Sequence, residues 1–172
     1  WAFPYEGSLR MYARCNEGDS MGYYDFPGLL TQKFPAESFV ATTKLTLVSG
    51  KEGERAGLIV FGLSYAFLAL EKTASGNKLV YGSGPQADKK QVLQVKDIRA
   101  AGQEVFRRLH VEQGARCSFS YSHDGRNFEN FNETFQAREG KWIGATVGLF
   151  CSGKKWTNDP GYASVDWFRI NK

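Results

Sequence analysis

The residues that could carry chemistry in this 172-residue chain are eighteen acids, two histidines and three cysteines. Acid–base or nucleophilic catalysis needs such groups within hydrogen-bond reach of one another. Most of the carboxylates lie in turns or on polar strand faces, and no spacing indicates the pair that two-carboxylate hydrolysis needs. His123 lies beside the turn Asp124-Gly125, and His110 alternates with charged neighbours. We therefore expect a chain without catalytic chemistry of its own.

The cysteines Cys15, Cys117 and Cys151 show no metal-ligand spacing, so a zinc site is not expected. Cys117 and Cys151 share the parity of apolar neighbours and are predicted to point inward. They fit small buried thiols best, while a bridge between them stays geometrically open.

Aromatic rings provide a different chemistry, because a flat ring can stack on the C–H face of a sugar while amide, hydroxyl and charged groups bond its hydroxyls. The chain is 15% aromatic. The candidate ligand-binding residues lie in two polar loops (15–28 and 152–162) and on the last predicted strand: Tyr23, Tyr24, Phe26, Trp156, Asn158, Trp167 and Arg169.

Each candidate also has a structural alternative. Trp156 could fold back as a lid on the domain, and one or more of the rings at 23–26 could anchor their loop to the core. Arg169 could form a salt bridge instead of a ligand contact. Trp142 is expected to pack on or cap the core. The rings at positions 1, 3 and 5, ahead of the first predicted strand, are candidates for a protein interface.

The elements that would position these side chains are short β-strands separated by turn residues. The segment Phe39–Val48 alternates apolar and polar residues with a period of two, as a half-buried antiparallel strand does. Asp124-Gly125 is a hairpin signal. A helix over 97–112 remains an alternative, although Gly102 would interrupt it. The pattern predicts about ten to twelve strands in one all-β sandwich domain, residues 1–172.

The charge pattern and the hydropathy pattern exclude other classes of protein. The net charge of +4 comes from 22 basic and 18 acidic residues that are interspersed along the chain. Because no basic stripe forms, we expect no nucleic-acid partner. No apolar run approaches about 18 residues, so no membrane span is expected. The chain starts at Trp1 without an initiator Met or a signal peptide, and we expect one module of a longer protein.

A family resemblance extends in order over nearly the whole chain. It rests on WAFP at 1–4, LLTQKFP at 29–35, FVATTKL at 39–45, ERAGLIV at 54–60, SFSYS at 118–122, GKWIG at 140–144 and VDWFRI at 165–170. These runs resemble the C-terminal β-sandwich domain of family 43 glycoside hydrolases, the β-xylosidase and arabinofuranosidase group. The resemblance implies a concanavalin-like jelly roll of two packed antiparallel sheets.

The resemblance also implies two alternative roles. One is a non-catalytic carbohydrate-binding module for xylan or arabinoxylan, ancillary to a family 43 hydrolase. The other is a structural subdomain that packs on the catalytic propeller and shapes its active-site pocket. Since the propeller is not in this sequence, we expect no hydrolysis by this chain alone. Such a protein would be periplasmic, at the cell surface or secreted.

Concanavalin-like modules often hold a structural calcium, which takes carboxylate and carbonyl oxygens as ligands. Asp166 is the candidate ligand, because an acid beside core residues on a strand is costly unless it is paired or metal-bound. Glu6, near the other terminus, could join it. The sequence has no DxDxDG loop to support the site.

Overall fold

The computed structural model describes residues 1–16, 23–84, 96–99 and 104–172, and its regular secondary structure there consists of fourteen β-strands. The strands are β1 (Ala2–Tyr5), β2 (Ser8–Tyr12), β3 (Arg14–Cys15), β4 (Leu29–Lys33), β5 (Phe39–Val48), β6 (Arg55–Phe61), β7 (Tyr65–Thr73), β8 (Gly76–Gly84), β9 (Lys96–Arg99), β10 (Glu104–Glu112), β11 (Arg116–Ser122), β12 (Glu129–Gln136), β13 (Thr146–Gly153) and β14 (Tyr162–Asn171). The predicted all-β class is confirmed. The helical alternative for 97–112 is wrong, because β9 and β10 occupy its described parts. The described part contains no helix that is long and apolar enough to cross a membrane.

Two sheets form the sandwich. The first sheet has the order β1-β2-β14-β5-β10-β11-β12, and the second has the order β3-β13-β6-β7-β8-β9 with β4 also pairing with β13. Among the described strand pairs, β3 with β13 is parallel and the others are antiparallel. The last strand, β14, lies between β2 and β5, so the first sheet is complete only when both ends of the chain have come together.

The N-terminal segment forms more strands than the sequence predicted. Trp1, Phe3 and Tyr5 were expected ahead of the first strand, but Ala2–Tyr5 pairs with Ser8–Tyr12. The turn between them contains Glu6 at φ 46° and Gly7 at φ 79°. These left-handed values at two adjacent residues match the twist of a tight two-residue hairpin turn.

The core lies between the sheets and follows the predicted alternation. On β5 the inward residues Phe39, Ala41, Leu45 and Leu47 are buried, and so is Thr43 between them. Burying one such large apolar side chain contributes about 1.5–3 kcal/mol. The period of two therefore decides which face of each strand remains for function.

Cys117 and Cys151 point into this core, as predicted, and both are free thiols. Burial raises the pKa of Cys117 to about 12 and raises the pKa of Cys151 as well. Because the thiolate is the reactive form, both groups are inert at neutral pH.

The turn at Asp124-Gly125 is longer than the predicted hairpin signal suggests, since β11 ends at Ser122 and β12 begins at Glu129. Gly125 has φ 73°. The Asp124 carboxylate accepts hydrogen bonds of 2.8 Å from the backbone N–H groups of Arg126 and Asn127. These bonds hold the pKa of Asp124 well below its usual range and give the six-residue loop a fixed shape.

Candidate functional site

The predicted ligand-binding residues occupy three separate parts of the domain. Trp156 and Asn158 lie in the loop after β13, at one end of the sandwich. Tyr23, Tyr24 and Phe26 lie before β4, and Trp167 and Arg169 lie on the outer face of the first sheet. The structure therefore does not bring the predicted set into one site, and each part has to be considered by itself.

Tyr23 and Phe26 anchor their loop instead of presenting their rings to solvent, with exposed fractions of 1% and 5%. They belong to what we call the outer aromatic cluster, which covers the outer face of the second sheet and consists of Tyr23, Phe26, Ile59, Tyr65, Phe67, Ala69, Val80 and Phe150. Tyr23 has ring contacts with Tyr65 at 4.7 Å and with Phe150 at 5.8 Å between centroids. Neither buried ring offers a face to a sugar. Of the rest of the predicted loop, residues 17–22 lie outside the described part.

The expectation that Trp142 packs on the core is wrong, because its side chain is 91% exposed. Strand β13 starts at Thr146 and leaves Trp142 in the loop before it. Ile143 is also 46% exposed. Nearby, Tyr24 is half-buried, with the Lys141 ammonium 4.5 Å from its ring centroid. We call Tyr24, Phe61, Lys141, Trp142 and Ile143 the Trp142 end of the domain.

Trp156 is 68% exposed at the opposite end of β13, with the Arg14 guanidinium carbon 5.4 Å from its ring centroid. It borders a cleft of about 460 Å³ that also contains the buried Glu54. The Glu54 carboxylate accepts a hydrogen bond of 2.9 Å from the Gly161 N–H and another from the Ser49 hydroxyl. Glu54 therefore fixes the two loops that flank the cleft, while the Trp156 ring remains accessible.

Replacing Trp156 by alanine should change the free energy of unfolding by no more than about 0.5 kcal/mol, because an exposed ring outside the core contributes little to stability. The same change should weaken any sugar binding at this end. Urea denaturation measures the first quantity and affinity electrophoresis the second. A loss of stability above about 2 kcal/mol would show that Trp156 packs as a lid.

The outer face of the first sheet presents a row of polar side chains across five adjacent strands. On β10, Arg108 pairs with Thr42 of β5 and with Ser120 of β11. Thr42 also pairs with Arg169 of β14, and Ser120 with Asn130 of β12. Because paired residues on neighbouring strands share a face, these five form one line, which we call the central row.

The central row lies in a groove of about 760 Å³, the polar groove, whose lining is mostly polar. Besides four of the five residues of the central row, its lining includes His110, Ser118, Phe128, Asn132, Thr134 and Asn171. The Arg108 guanidinium carbon lies 3.6 Å from the centroid of the Phe128 ring. The groove thus combines amide, hydroxyl and cationic donors with an aromatic ring, which are the groups that bind a sugar chain.

Trp167 and Arg169 lie outside the lining of this groove, on the outward face that the parity of the strand predicted, with Arg169 paired with the lining residue Thr42 and Trp167 one row away. Arg169 is exposed, with its guanidinium carbon 4.6 Å from the centroid of the Trp167 ring. Trp167 is half-buried and contacts Phe106 at 6.1 Å between centroids. None of the ion pairs between described residues includes Arg169, so the alternative in which it forms a salt bridge is not found there.

Sequence reasoning missed the groove itself, including Arg108, His110, Phe128 and Asn130. The signal was present in the alternation of β11, where Ser118, Ser120 and Ser122 occur at every second residue. On β10 the same alternation is obscured, because Arg107 occupies an inward position between apolar residues.

The predicted calcium ligand Asp166 forms an ion pair in the described structure. The Asp166 carboxylate lies 2.6 Å from the Lys44 ammonium, which also contacts Glu104 at 3.1 Å. The hydrogen bond to Asp166 is the main cause that raises the pKa of Lys44. Glu6 is exposed in the β1–β2 turn. The described residues contain no group of three or more His, Cys, Asp or Glu side chains that could hold a metal ion. Asp166 is therefore explained by its ion pair.

Comparison with known proteins identifies the family of this domain. Residues 1–171 match the family described as the β-xylosidase C-terminal concanavalin A-like domain. A β-xylosidase of Formosa agariphila is 28% identical over 158 residues, which are 89% of this chain and 25% of that protein.

Two solved structures have the same fold. A bifunctional GH43-CE protein of Bacteroides eggerthii superposes with a TM-score of 0.81 at 20% identity, over 97% of this chain and 22% of that one. A xylan β-1,4-xylosidase of Bacillus halodurans superposes with a TM-score of 0.78 at 17% identity, over 100% of this chain and 34% of that one. The chain thus spans about a quarter to a third of the length of these relatives, and it belongs to the family of β-xylosidase C-terminal concanavalin A-like domains.

Proposed function

We propose that this domain is a non-catalytic carbohydrate-binding module that holds a xylan-type polysaccharide in the polar groove, as the ancillary part of a family 43 glycoside hydrolase. The observation that supports it is the line of hydrogen-bonding side chains across five strands, in a groove of about 760 Å³ with rings at its border. Plant cell-wall polysaccharide is extracellular, so the proposal also expects the domain outside the cytoplasm.

The dimensions of the groove suit an extended sugar chain. Neighbouring strands are about 4.8 Å apart, so the central row is about 19 Å long and could contact several sugar units in succession. Asn130 and Asn132 can each donate and accept at a hydroxyl. A single module of this kind binds weakly, and its attachment to an enzyme would raise the overall affinity through effective concentration.

Affinity gel electrophoresis against xylan, arabinan and mixed-linkage glucan tests the proposal. We expect retardation by the xylans and not by the other two polymers. Replacing Asn130 by alanine should weaken the retardation about 3- to 10-fold, which corresponds to the loss of one hydrogen bond. Trp142→Ala is the matched control, because that exposed ring lies outside the groove lining. Unchanged retardation of the Asn130 variant, or a loss only in the Trp142 variant, would contradict the groove as the site.

The second candidate function is structural support of a catalytic propeller, and the Trp142 end favours it. A Trp side chain 91% exposed beside an Ile side chain 46% exposed is the kind of apolar surface that protein interfaces cover. The related β-xylosidase is about four times as long as the matched region, since that region is 25% of it. Absence of retardation by every polysaccharide would favour this candidate over the first.

A further inference from the structure

Building on the proposed function, we infer that the polar groove selects polysaccharide chains that carry uronic acid, and that Arg108 and Arg169 bind the carboxylate. The first argument is the placement of the two cations. Both lie on the central row, on either side of Thr42, so they are two strands apart and face the same solvent. At about 4.8 Å per strand their backbones are about 10 Å apart, which two arginine side chains can bridge.

The second argument is that no acid of the described residues forms an ion pair with either charge, that of Arg108 or that of Arg169. Lys44, in the adjacent row of the same face, behaves differently and contacts both Asp166 and Glu104. The described lining of the groove contains one acid, Glu112. It lies opposite Arg116 in the register of β10 and β11, two rows from Arg108.

The third argument is that both guanidinium groups are oriented before a ligand arrives. Arg108 stacks at 3.6 Å on Phe128, and Arg169 at 4.6 Å on Trp167. Stacking leaves the edge of the guanidinium plane free, and this edge is the fork that binds a carboxylate through two parallel N–H donors.

Together these features favour an acidic sugar over a neutral one. A hydroxyl could accept one of the arginine bonds, but it would leave the positive charges of Arg108, in the groove, and Arg169, beside it on the same face, uncompensated. A carboxylate compensates the charge and accepts two bonds at once. The inference therefore names xylan that bears glucuronic acid side groups as the preferred ligand within the proposed xylan class.

The test compares glucuronoxylan with the same polymer after its carboxyl groups have been reduced to alcohols, by affinity electrophoresis at about 0.15 M salt. We expect the domain to bind the acidic polymer about tenfold more tightly. Arg108→Ala and Arg169→Ala should each lower the affinity for the acidic polymer about tenfold, as the loss of a charge-assisted hydrogen bond does. Both variants should lose less affinity for the reduced polymer than for the acidic polymer, because the neutral chain offers no carboxylate to the fork.

Two further variants sharpen the result. Arg108→Lys keeps the charge but loses the fork, and it should bind the acidic polymer more weakly than the parent domain. Arg138→Ala removes an exposed charge outside the groove lining and should change nothing. If Arg108→Ala does not fold, Arg169→Ala still decides the question, because the Arg169 side chain is exposed.

Equal affinity for the two polymers would overturn the inference and leave the proposed function intact. Failure to bind either polymer would overturn both. Equal retention by dextran sulfate, weakened by Arg138→Ala as much as by Arg169→Ala, would show unselective ion exchange and also overturn it.

Discussion

Replacing Phe67 by alanine is expected to lower the free energy of unfolding by about 3–5 kcal/mol, the usual cost of removing a buried phenylalanine ring. Phe67 is fully buried at the centre of the outer aromatic cluster. Its ring centroid lies 5.0 Å from that of Phe150 and 5.9 Å from that of Tyr23. Since domains of this size are stable by about 5–15 kcal/mol, the loss would be a large share of the total.

The cavity left by this change could not collapse, because the backbone of Gly82 lies directly against the ring. A Cβ at Gly82 would overlap the Phe67 ring, so the two positions fit only as a pair. Loss of the ring would also remove the support of Tyr23, which holds the loop before β4 against the second sheet. Urea denaturation followed by tryptophan fluorescence measures the loss.

Trp142→Ala is the control for this experiment, since it removes a larger ring from an exposed position and should change stability by about 0.5 kcal/mol or less. A loss below about 1 kcal/mol for Phe67→Ala would contradict the structural role of the cluster.

The sequence predicted the inner core well because one side chain in two on each half-buried strand is apolar. It also contained a sign of the second buried face. Leu58-Ile59-Val60 on β6 and Phe67-Leu68-Ala69-Leu70 on β7 are continuous apolar runs, which indicate strands covered on both sides. The pattern could not predict which residues cover the outer face of the second sheet. That Tyr23 lies on Phe67 and Phe150 is a contact between residues more than forty positions apart, and no local period encodes it.

The candidate site was harder to predict than the fold for a related reason. A surface groove forms from residues that are neighbours only through strand register, and the register between β14, β5 and β10 brings Arg169 and Arg108 to the same row. The search for exposed rings in polar loops selected Trp156 correctly as an accessible ring, but it also selected Tyr23 and Phe26, which are buried. The residue type alone does not distinguish a ring that packs its loop on the core from an exposed ring that can stack on a sugar.

Replacing Arg107 by methionine is expected to raise the free energy of unfolding by about 1–4 kcal/mol, the gain seen when buried ionic groups are exchanged for apolar ones. Arg107 is fully buried and points into the core between Val105 and Leu109. Its Nη1 donates to the Val105 carbonyl at 2.8 Å, with a longer contact of 3.4 Å to the Leu45 carbonyl. Its Nε and Nη2 have no hydrogen-bond partner in the described structure, so most of its desolvation is not compensated.

The gain should not depend on pH between about 5 and 8. Burial lowers the pKa of Arg107 to about 9 from an ordinary value of 12.5. For a base whose pKa is lower in the folded state, the cost of burying the cation is complete below the folded-state pKa and decreases only as the pH rises above it. Wild type and variant should therefore differ by the same free energy in urea titrations at the two ends of this range.

Two comparison variants separate the effect of the buried charge on stability from the effect of side-chain volume. Arg107→Ala removes the same charge but leaves a cavity, and it should be less stable than Arg107→Met by about 2–5 kcal/mol. Arg116→Met makes the same chemical change at an exposed position on the next strand and should alter stability by about 0.5 kcal/mol or less. If Arg107→Met were less stable than the wild type, the carbonyl hydrogen bonds of Arg107 would outweigh its desolvation. The inward cation would then stabilise the sandwich.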